Sequence, residues 1–330
     1  MSTLLLTDRD VHALLPMAEC IAVMERALQA ISSNDAVLPL RTVLRLPGGM
    51  NAFASMPATV GPAIGAKIIT VFPGNAATAY DSHIGVVLLF GAEHGDLKAI
   101  ADASSITAIR TAAVSGVATK LLARPDASSL AVLGAGVLAL PHVDAVRAVR
   151  PITRVMLWSR SADRAEATAG KIRSERGMDV TVCSSAREAV ESVDVVCTIT
   201  SSRTPVLEGA WLAEGVHVNA VGASIPTARE LDTAAVAGSR LFVDRRESTL
   251  NEAGDFLIPR AEGAINDDHI LGELGELLTR TVVGRRNATD RTLFKSLGLA
   301  VEDVAALQHI FEKAERSGAG TMISLGGLRH

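Results

Sequence analysis

Between Ser129 and Asp244, short apolar runs alternate with amphipathic stretches, and this alternation restricts the fold of the 330-residue chain more than any other feature. The strand-like runs are Leu130 to Leu133, Val155 to Trp158, Val180 to Cys183, Val195 to Ile199, His217 to Val221 and Leu241 to Val243. Helical stretches lie between them. They include Ala162 to Arg176 and a segment from Ser185 to Val193 that opens with Ser185 and Glu188 in capping-box spacing. Parallel strands joined by crossover helices generate such an order, so this part predicts a doubly wound α/β sheet.

The first of these strands runs into Gly134-Ala135-Gly136-Val137-Leu138-Ala139, a GxGxxA turn placed where a helix begins. Gly134 permits the tight turn, Gly136 lets the backbone approach a pyrophosphate, and Ala139 allows close packing of helix on strand. Free N–H groups and the dipole at the helix start then favour a phosphate. The turn points to a dinucleotide, with Gly134, Ala135, Gly136 and Val137 as its cradle. Pro141 falls in the first helical turn, where N–H groups lack an internal partner, and is tolerated there. The second strand ends in Trp158-Ser159-Arg160-Ser161, without the acidic residue that would bind a ribose 2′-hydroxyl. Ser159, Arg160 and Arg164 can instead donate to a 2′-phosphate, so NADP(H) is preferred, with NAD(H) left open. Thr200 and Val221, where two further strand-like runs end, join the candidate cofactor contacts.

The flanking segments read differently. A helix is expected around Met17 to Ile31. In Val37 to Leu46, period-2 alternation puts Leu38, Leu40, Thr42, Leu44 and Leu46 opposite Arg41, Val43 and Arg45, as on a half-buried strand. His83 to Phe90 and Leu97 to Ala101 flank a turn-rich insert and predict a hairpin. Helices are expected from Ser105 to Ala123 and from Val301 to Arg316, the latter returning to the first domain. A net charge of −4 and the lack of a basic stripe argue against nucleic acid. Cys20, Cys183 and Cys197 show no metal-ligand spacing and read as reduced core thiols, so no metal is expected. No apolar run reaches the length of a membrane span and no leader pattern opens the chain, which makes the expected location cytoplasmic.

Three cations stand in apolar surroundings: Arg41, Lys67 and Arg110. A charge so placed must be paired or face a cleft, and together the three could converge on a carboxylate, which the arginine fork suits. The stretches around them resemble the ornithine cyclodeaminase/mu-crystallin family, over nearly the whole chain. The resemblance rests on Leu40-Arg-Thr-Val43, Met56-Pro57, Ala66-Lys67, Ile109 to Ser115, Gly134-Ala-Gly136, Ala220 to Ala223, Arg229-Glu-Leu-Asp232 and Phe294 to Val304. It implies a homodimer and a mixed α+β substrate and dimerisation domain built from both chain ends, beside a Rossmann-type doubly wound parallel sheet. The expected division is 1–118 with a C-terminal helix in 301–330, and 119–300 for the NAD(P)-binding domain. The resemblance also implies that Arg41, Lys67 and Arg110 hold a substrate carboxylate, and that Thr111 and the Ser296 to Gly298 region lie near the cofactor.

Two departures bear on the chemistry. Cyclodeaminases of the family carry a carboxylate two residues before Met-Pro and an Asp after the Val-Gly-Gly/Ala turn, whereas this chain has Ala54 and Ser224. Neither side chain is a carboxylate, and Ser224 cannot act as a general base near neutral pH. The segment from Gly222 to Asp232 resembles the ketimine-reducing members instead. The implied activity is NAD(P)H-dependent reduction of a small cyclic imino acid such as Δ1-pyrroline-2-carboxylate or Δ1-piperideine-2-carboxylate. The alternatives are an amino-acid cyclodeaminase using bound NAD and a non-catalytic NADP-dependent ligand binder. Ser224, His83, Lys67 and a bound water are all candidates for the proton relay. At Leu138-Ala-Leu-Pro141 the family more often has Gln and a polar residue.

Overall fold

A computed structural model describes residues 2–327. In chain order its elements are β1 (Ser2–Leu6), α1 (Asp8–Leu14), α2 (Met17–Ser32), β2 (Ala36–Val37), β3 (Thr42–Arg45), β4 (Ala52–Val60), β5 (Ala63–Val71), β6 (His83–Phe90), β7 (Leu97–Asp102) and α3 (Ala103–Leu122). Then follow β8 (Ser129–Leu133), α4 (Ala139–Val149), β9 (Arg154–Trp158), α5 (Ala162–Arg176), β10 (Asp179–Val182), α6 (Ala186–Val190), β11 (Val195–Thr198) and β12 (His217–Ala220). The remainder comprises α7 (Thr233–Ala237), β13 (Arg240–Val243), α8 (Arg246–Glu252), α9 (Gly254–Ala261), β14 (Ile270–Glu273), α10 (Leu274–Leu278), β15 (Thr292–Lys295), α11 (Ala300–Ser317) and β16 (Thr321–Ser324). Contacts divide the chain into two compact units, one of residues up to Arg110 with those from Gly298 on, the other Thr111–Leu297. The sequence reading draws these borders at 118/119 and 300/301; its C-terminal helix ends at Ser317, a short strand follows, and 328–330 lie outside the described residues.

In the first unit the strand order is β16-β1-β7-β6-β5-β4-β2, with β3 also on β4. All neighbours are antiparallel except β1 and β7. The expected hairpin is β6 and β7. The single strand expected over 37–46 is not formed: it breaks into β2 and β3 around Pro39, which has no N–H for a ladder. All four β3 residues are exposed, so the half-buried reading of that stretch is corrected as well. Along β5 the inward positions Ala63, Gly65, Lys67 and Ile69 are buried and face α11 with its neighbours, while Ile64, Ala66 and Ile68 point the other way.

The second unit is an eight-stranded, wholly parallel sheet in the order β10-β9-β8-β11-β12-β15-β13-β14. Successive β8 residues feed two separate cores, Ala131 and Leu133 on one face, Leu130 and Val132 on the other. A sheet covered on both faces is what a doubly wound fold requires. The strand Leu241 to Val243 does not adjoin β12 as sequence order suggests, because β15 is inserted between them. Ser185 caps α6 through the Glu188 N–H, but the Glu188 carboxylate reaches back to Ser184 instead of closing the box on Ser185.

Gly65 shows how tightly α11 lies on its sheet. A Cβ there would stand 2.5 Å from the Leu88 carbonyl oxygen and 2.9 Å from Val304 Cγ2. Gly65→Ala should therefore destabilise the protein by about 1–3 kcal/mol through overpacking. The check is thermal unfolding: the variant's midpoint should fall, and an unchanged midpoint would mean that α11 yields without strain.

Candidate functional site

In the first unit the three cations of the sequence reading come together around the start of α11. Arg110, in α3, is 4% exposed; its Nε donates to Asp303 Oδ1 at 3.0 Å and its Nη1 to Glu302 Oε2 at 2.6 Å. Nη2 is left with no hydrogen-bond acceptor among the described residues. Lys67 rises from the inner face of β5, where its Nζ donates to the Thr107 hydroxyl at 2.6 Å and to Asp303 Oδ1 at 3.3 Å. Arg41 Nη2 donates to the Gly298 carbonyl at 3.2 Å. Gly298 has φ +75°, and a Cβ there would lie 2.4 Å from Arg110 Nη1. A side chain at 298 would displace the guanidinium.

The electrostatics follow from this packing. Burial lowers the Lys67 pKa to about 8, although the Asp303 charge pulls it upward. Burial also opposes the charge on Arg110, but Asp303 and Glu302 outweigh it and raise that pKa. The five named side chains are three cations and two carboxylates. Glu302 and Asp303 are the residues that the sequence reading passed over as site members. Their signal was present: cations amid apolar residues need carboxylates, and this adjacent pair opens the C-terminal helix.

His83 lies on the same sheet face as Lys67, with Nδ1 3.0 Å from the Ser82 hydroxyl. Desolvation, then the Lys67 charge, lower its pKa, so it is neutral at pH 7. Ala54 is buried on that face as well, two residues from Met56, which pairs with Lys67 across β4 and β5. Position 54, where the resemblance to cyclodeaminases implies a carboxylate, thus presents a methyl group.

In the second unit the glycine turn sits at the carboxyl end of β8. Gly134 has φ +126°, and a Cβ would meet the Ile199 carbonyl at 2.9 Å, so only glycine closes the turn. Gly136 and Val137 are exposed, and a Cβ on Gly136 would meet open space. No side chain caps the N-terminus of α4; there the Ala139 N–H donates to the Gly136 carbonyl and Pro141 has no N–H, so an anion would rely on the exposed backbone of the glycine turn and on the helix dipole. The Ala135 carbonyl accepts from Thr168 of α5, which steadies the turn. These features fit a dinucleotide pyrophosphate. After β9, Ser159 is half-buried and accepts from the Ser161 N–H, while Arg160 and Arg164 are exposed. Val221 and Thr111 are buried, and Ser224 is exposed in the loop after β12. Thr200 turns inward: its N–H and hydroxyl both donate to Glu230 Oε1. Gly298, expected beside the cofactor, stands in the first unit against Arg41 and Arg110. Among the described residues no cluster of three or more His, Cys, Asp or Glu could hold a metal ion, and no helix is long and apolar enough to cross a membrane.

Comparison with known proteins identifies the family. The family model described as ornithine cyclodeaminase/mu-crystallin matches residues 1–318. Delta(1)-pyrroline-2-carboxylate reductase of a Bacillus cereus strain is 36% identical over 323 residues, covering 97% of this chain and 99% of that one. Ketimine reductase mu-crystallin of Mus musculus is 40% identical over 297 residues, or 88% and 91% of the two chains. Among solved structures, Thermococcus litoralis Delta(1)-pyrroline-2-carboxylate reductase in complex with NADH and L-proline superposes with a TM-score of 0.95. It has 37% identity and covers 97% of this chain and 99% of that one. With a matching order of motifs, a shared fold and near-complete coverage, this chain belongs to the ornithine cyclodeaminase/mu-crystallin family.

Proposed function

We propose that this chain is an oxidoreductase that reduces a small cyclic ketimine carboxylate, such as Δ1-pyrroline-2-carboxylate, to the cyclic amino acid. The observation that carries the reading is the cluster of Arg41, Lys67 and Arg110 around the start of α11, with Lys67 on a sheet face where position 54 offers no carboxylate. Of the named relatives, one is a Delta(1)-pyrroline-2-carboxylate reductase and the other a ketimine reductase. A reduced nicotinamide dinucleotide, when bound at the glycine turn, supplies the hydride.

Arg110 offers Nη2 to the substrate carboxylate while Glu302 and Asp303 fix the plane of its guanidinium. Arg41 is held near the same glycine and gives the carboxylate a second cationic neighbour. Orientation of this kind provides much of the acceleration in a bimolecular step. The imine nitrogen gains a proton, its carbon gains the hydride, and the C=N bond becomes a C–N single bond. Lys67 is the best-placed acid of the first unit, since its pKa near 8 keeps it protonated yet a ready donor, whereas His83 is neutral. For the cofactor we favour NADP(H) over NAD(H), because Ser159, Arg160 and Arg164 follow β9 where an acidic residue would suit a free ribose. Three buried free thiols suit a reducing, cytoplasmic setting.

The second copy implied by the family has a surface to bind. On the outer face of the first unit's sheet, Leu44, Phe53, Ile64 and Ile84 are 59%, 37%, 39% and 43% exposed, and Ile68, Val86 and Leu88 lie half-buried among them. A contiguous apolar face of this kind suits a two-fold interface between identical sheets.

Three measurements test these readings. Absorbance assays should show oxidation of NADPH, faster than of NADH, with five- or six-membered cyclic imino acids. Ammonia release from ornithine would establish a cyclodeaminase instead, and dinucleotide binding without turnover a non-catalytic binder. In a pH series, kcat/KM should hold below about pH 8 and decline above it as Lys67 loses its proton. Lys67→Arg, which stays charged, should abolish that alkaline decline if only the charge matters and lose most activity if the proton matters. Finally, light scattering should give twice the 34.4 kDa chain mass. The double variant Ile64→Glu, Ile84→Glu should give the monomer mass, and an unaltered dimer would exclude this face.

A further inference from the structure

The second unit buries a charged group that the mechanism above does not use. Glu230 is 0% exposed. Its Oε1 accepts from the Thr200 N–H and the Thr200 hydroxyl, each at 2.6 Å. Its Oε2 accepts from the Gly222 N–H at 2.6 Å and from the Thr198 hydroxyl at 2.9 Å. Thr198 and Thr200 belong to the carboxyl end of β11 and the loop that leaves it, and Gly222 to the loop that leaves β12. One carboxylate therefore holds two loops at the sheet edge where open α/β folds bind their ligands.

The two loops touch closely enough to exclude any other residue at 222. A Cβ on Gly222 would stand 2.0 Å from the Thr200 carbonyl oxygen and 2.6 Å from Glu230 Oε1. Glu230 is itself anchored: its backbone N–H donates to Asp255 Oδ1 at 2.8 Å, Asp255 Oδ2 pairs with Lys295 at 3.0 Å, and Lys295 donates to the Ala220 carbonyl at 3.2 Å. All three side chains are buried. The Thr200 hydroxyl donates to Glu230 and accepts from the Ser202 N–H at 3.1 Å, so it has no hydrogen left to offer a cofactor.

We propose that Glu230 is the positioning residue of the cofactor edge, setting the Thr200 and Gly222 loops before the dinucleotide arrives, and that Thr200 acts through Glu230 without touching the dinucleotide by its hydroxyl. This rests on the reading of the chain as a dinucleotide enzyme. A carboxylate is required because two fixed backbone N–H groups point at it, one on each oxygen; in Glu230→Gln the amide NH₂ must face one of them.

The test is a double-mutant cycle on NADPH affinity, read by tryptophan fluorescence quenching, with Thr200→Val, Glu230→Gln and the pair. Glu230→Gln should raise Kd by roughly tenfold or more, the usual effect of leaving a buried donor unsatisfied. Thr200→Val should raise it less and add under about twofold in the Glu230→Gln background, as for residues acting as one unit. Thr200→Ser should restore wild-type affinity. An equal Thr200→Val effect in both backgrounds would overturn the proposal, as would a wild-type Kd in Glu230→Gln. Wild-type protein that binds neither NADPH nor NADH would instead overturn the functional reading on which it rests, and the proposal with it. Amide hydrogen exchange on the cofactor-free protein reads the same device without Glu230→Gln. Thr200 and Gly222 should exchange slowly in wild type and faster in Glu230→Asp, whose shorter side chain cannot reach both loops. Rapid exchange in wild type would overturn the proposal.

Discussion

Burying Arg110 and Lys67 is the constraint on which the first unit depends. An ammonium or guanidinium taken out of water incurs a penalty of several kcal/mol unless a carboxylate meets it with good geometry. Asp303 bonds to both cations and Glu302 to Arg110, and these acids come from a helix nearly two hundred residues further along the chain than Arg110. The discontinuity of the unit follows. Residues after Gly298 must return to the sheet formed by the first part of the chain, because without α11 the inner face of β5 would hold an unpaired lysine. Gly65 and Gly298 remove side chains where that return brings the backbone nearest.

Such ion pairs are a poor route to stability, since apolar residues of the same shape often hold a fold equally well. Their advantage is orientation. A guanidinium gripped through Nε and Nη1 can present Nη2 in only one direction, and a site assembled from locked side chains loses less freedom when ligand binds. The second unit applies the same principle to backbone: Glu230, backed by Asp255 and Lys295, fixes loops instead of a side chain. Burial and the neighbouring Asp255 push the Glu230 pKa upward, while four donors favour the ionised form that the arrangement needs.

How far the sequence could be read depended on whether a feature is local. The parallel strands, the glycine turn and the long helices were legible because period and punctuation are properties of adjacent residues; α5 matches its expected range, Ala162 to Arg176, at both ends. The strand β15 was not, since Thr292-Leu-Phe-Lys295 has no alternation and its place between β12 and β13 is decided by partners more than fifty residues away. Pro39 could have warned that 37–46 would break, but period-2 alternation concealed it. In the site, the cations were legible from their apolar surroundings and their partners were not: Glu302 and Asp303 read as ordinary acids favouring a helix start, and only tertiary packing buries them. Thr200 was placed by position in the chain, whereas the direction of its hydroxyl is set by Glu230, thirty residues on.

Charge balance also separates the chemistries available to this fold. The cluster of Arg41, Lys67, Arg110, Glu302 and Asp303 carries one positive charge in excess, which a cyclic imino acid with its single carboxylate and neutral imine nitrogen would cancel. A diamino acid brings a further ammonium, and in an apolar pocket that group needs a carboxylate of its own. Position 54, buried on the face that carries Lys67, is an alanine. With no acid at that position, an extra ammonium beside Lys67 would meet a charge of its own sign. On the reading proposed above, the alanine at position 54 disfavours deamination, while the grip proposed for Arg41 and Arg110 on a carboxylate is kept.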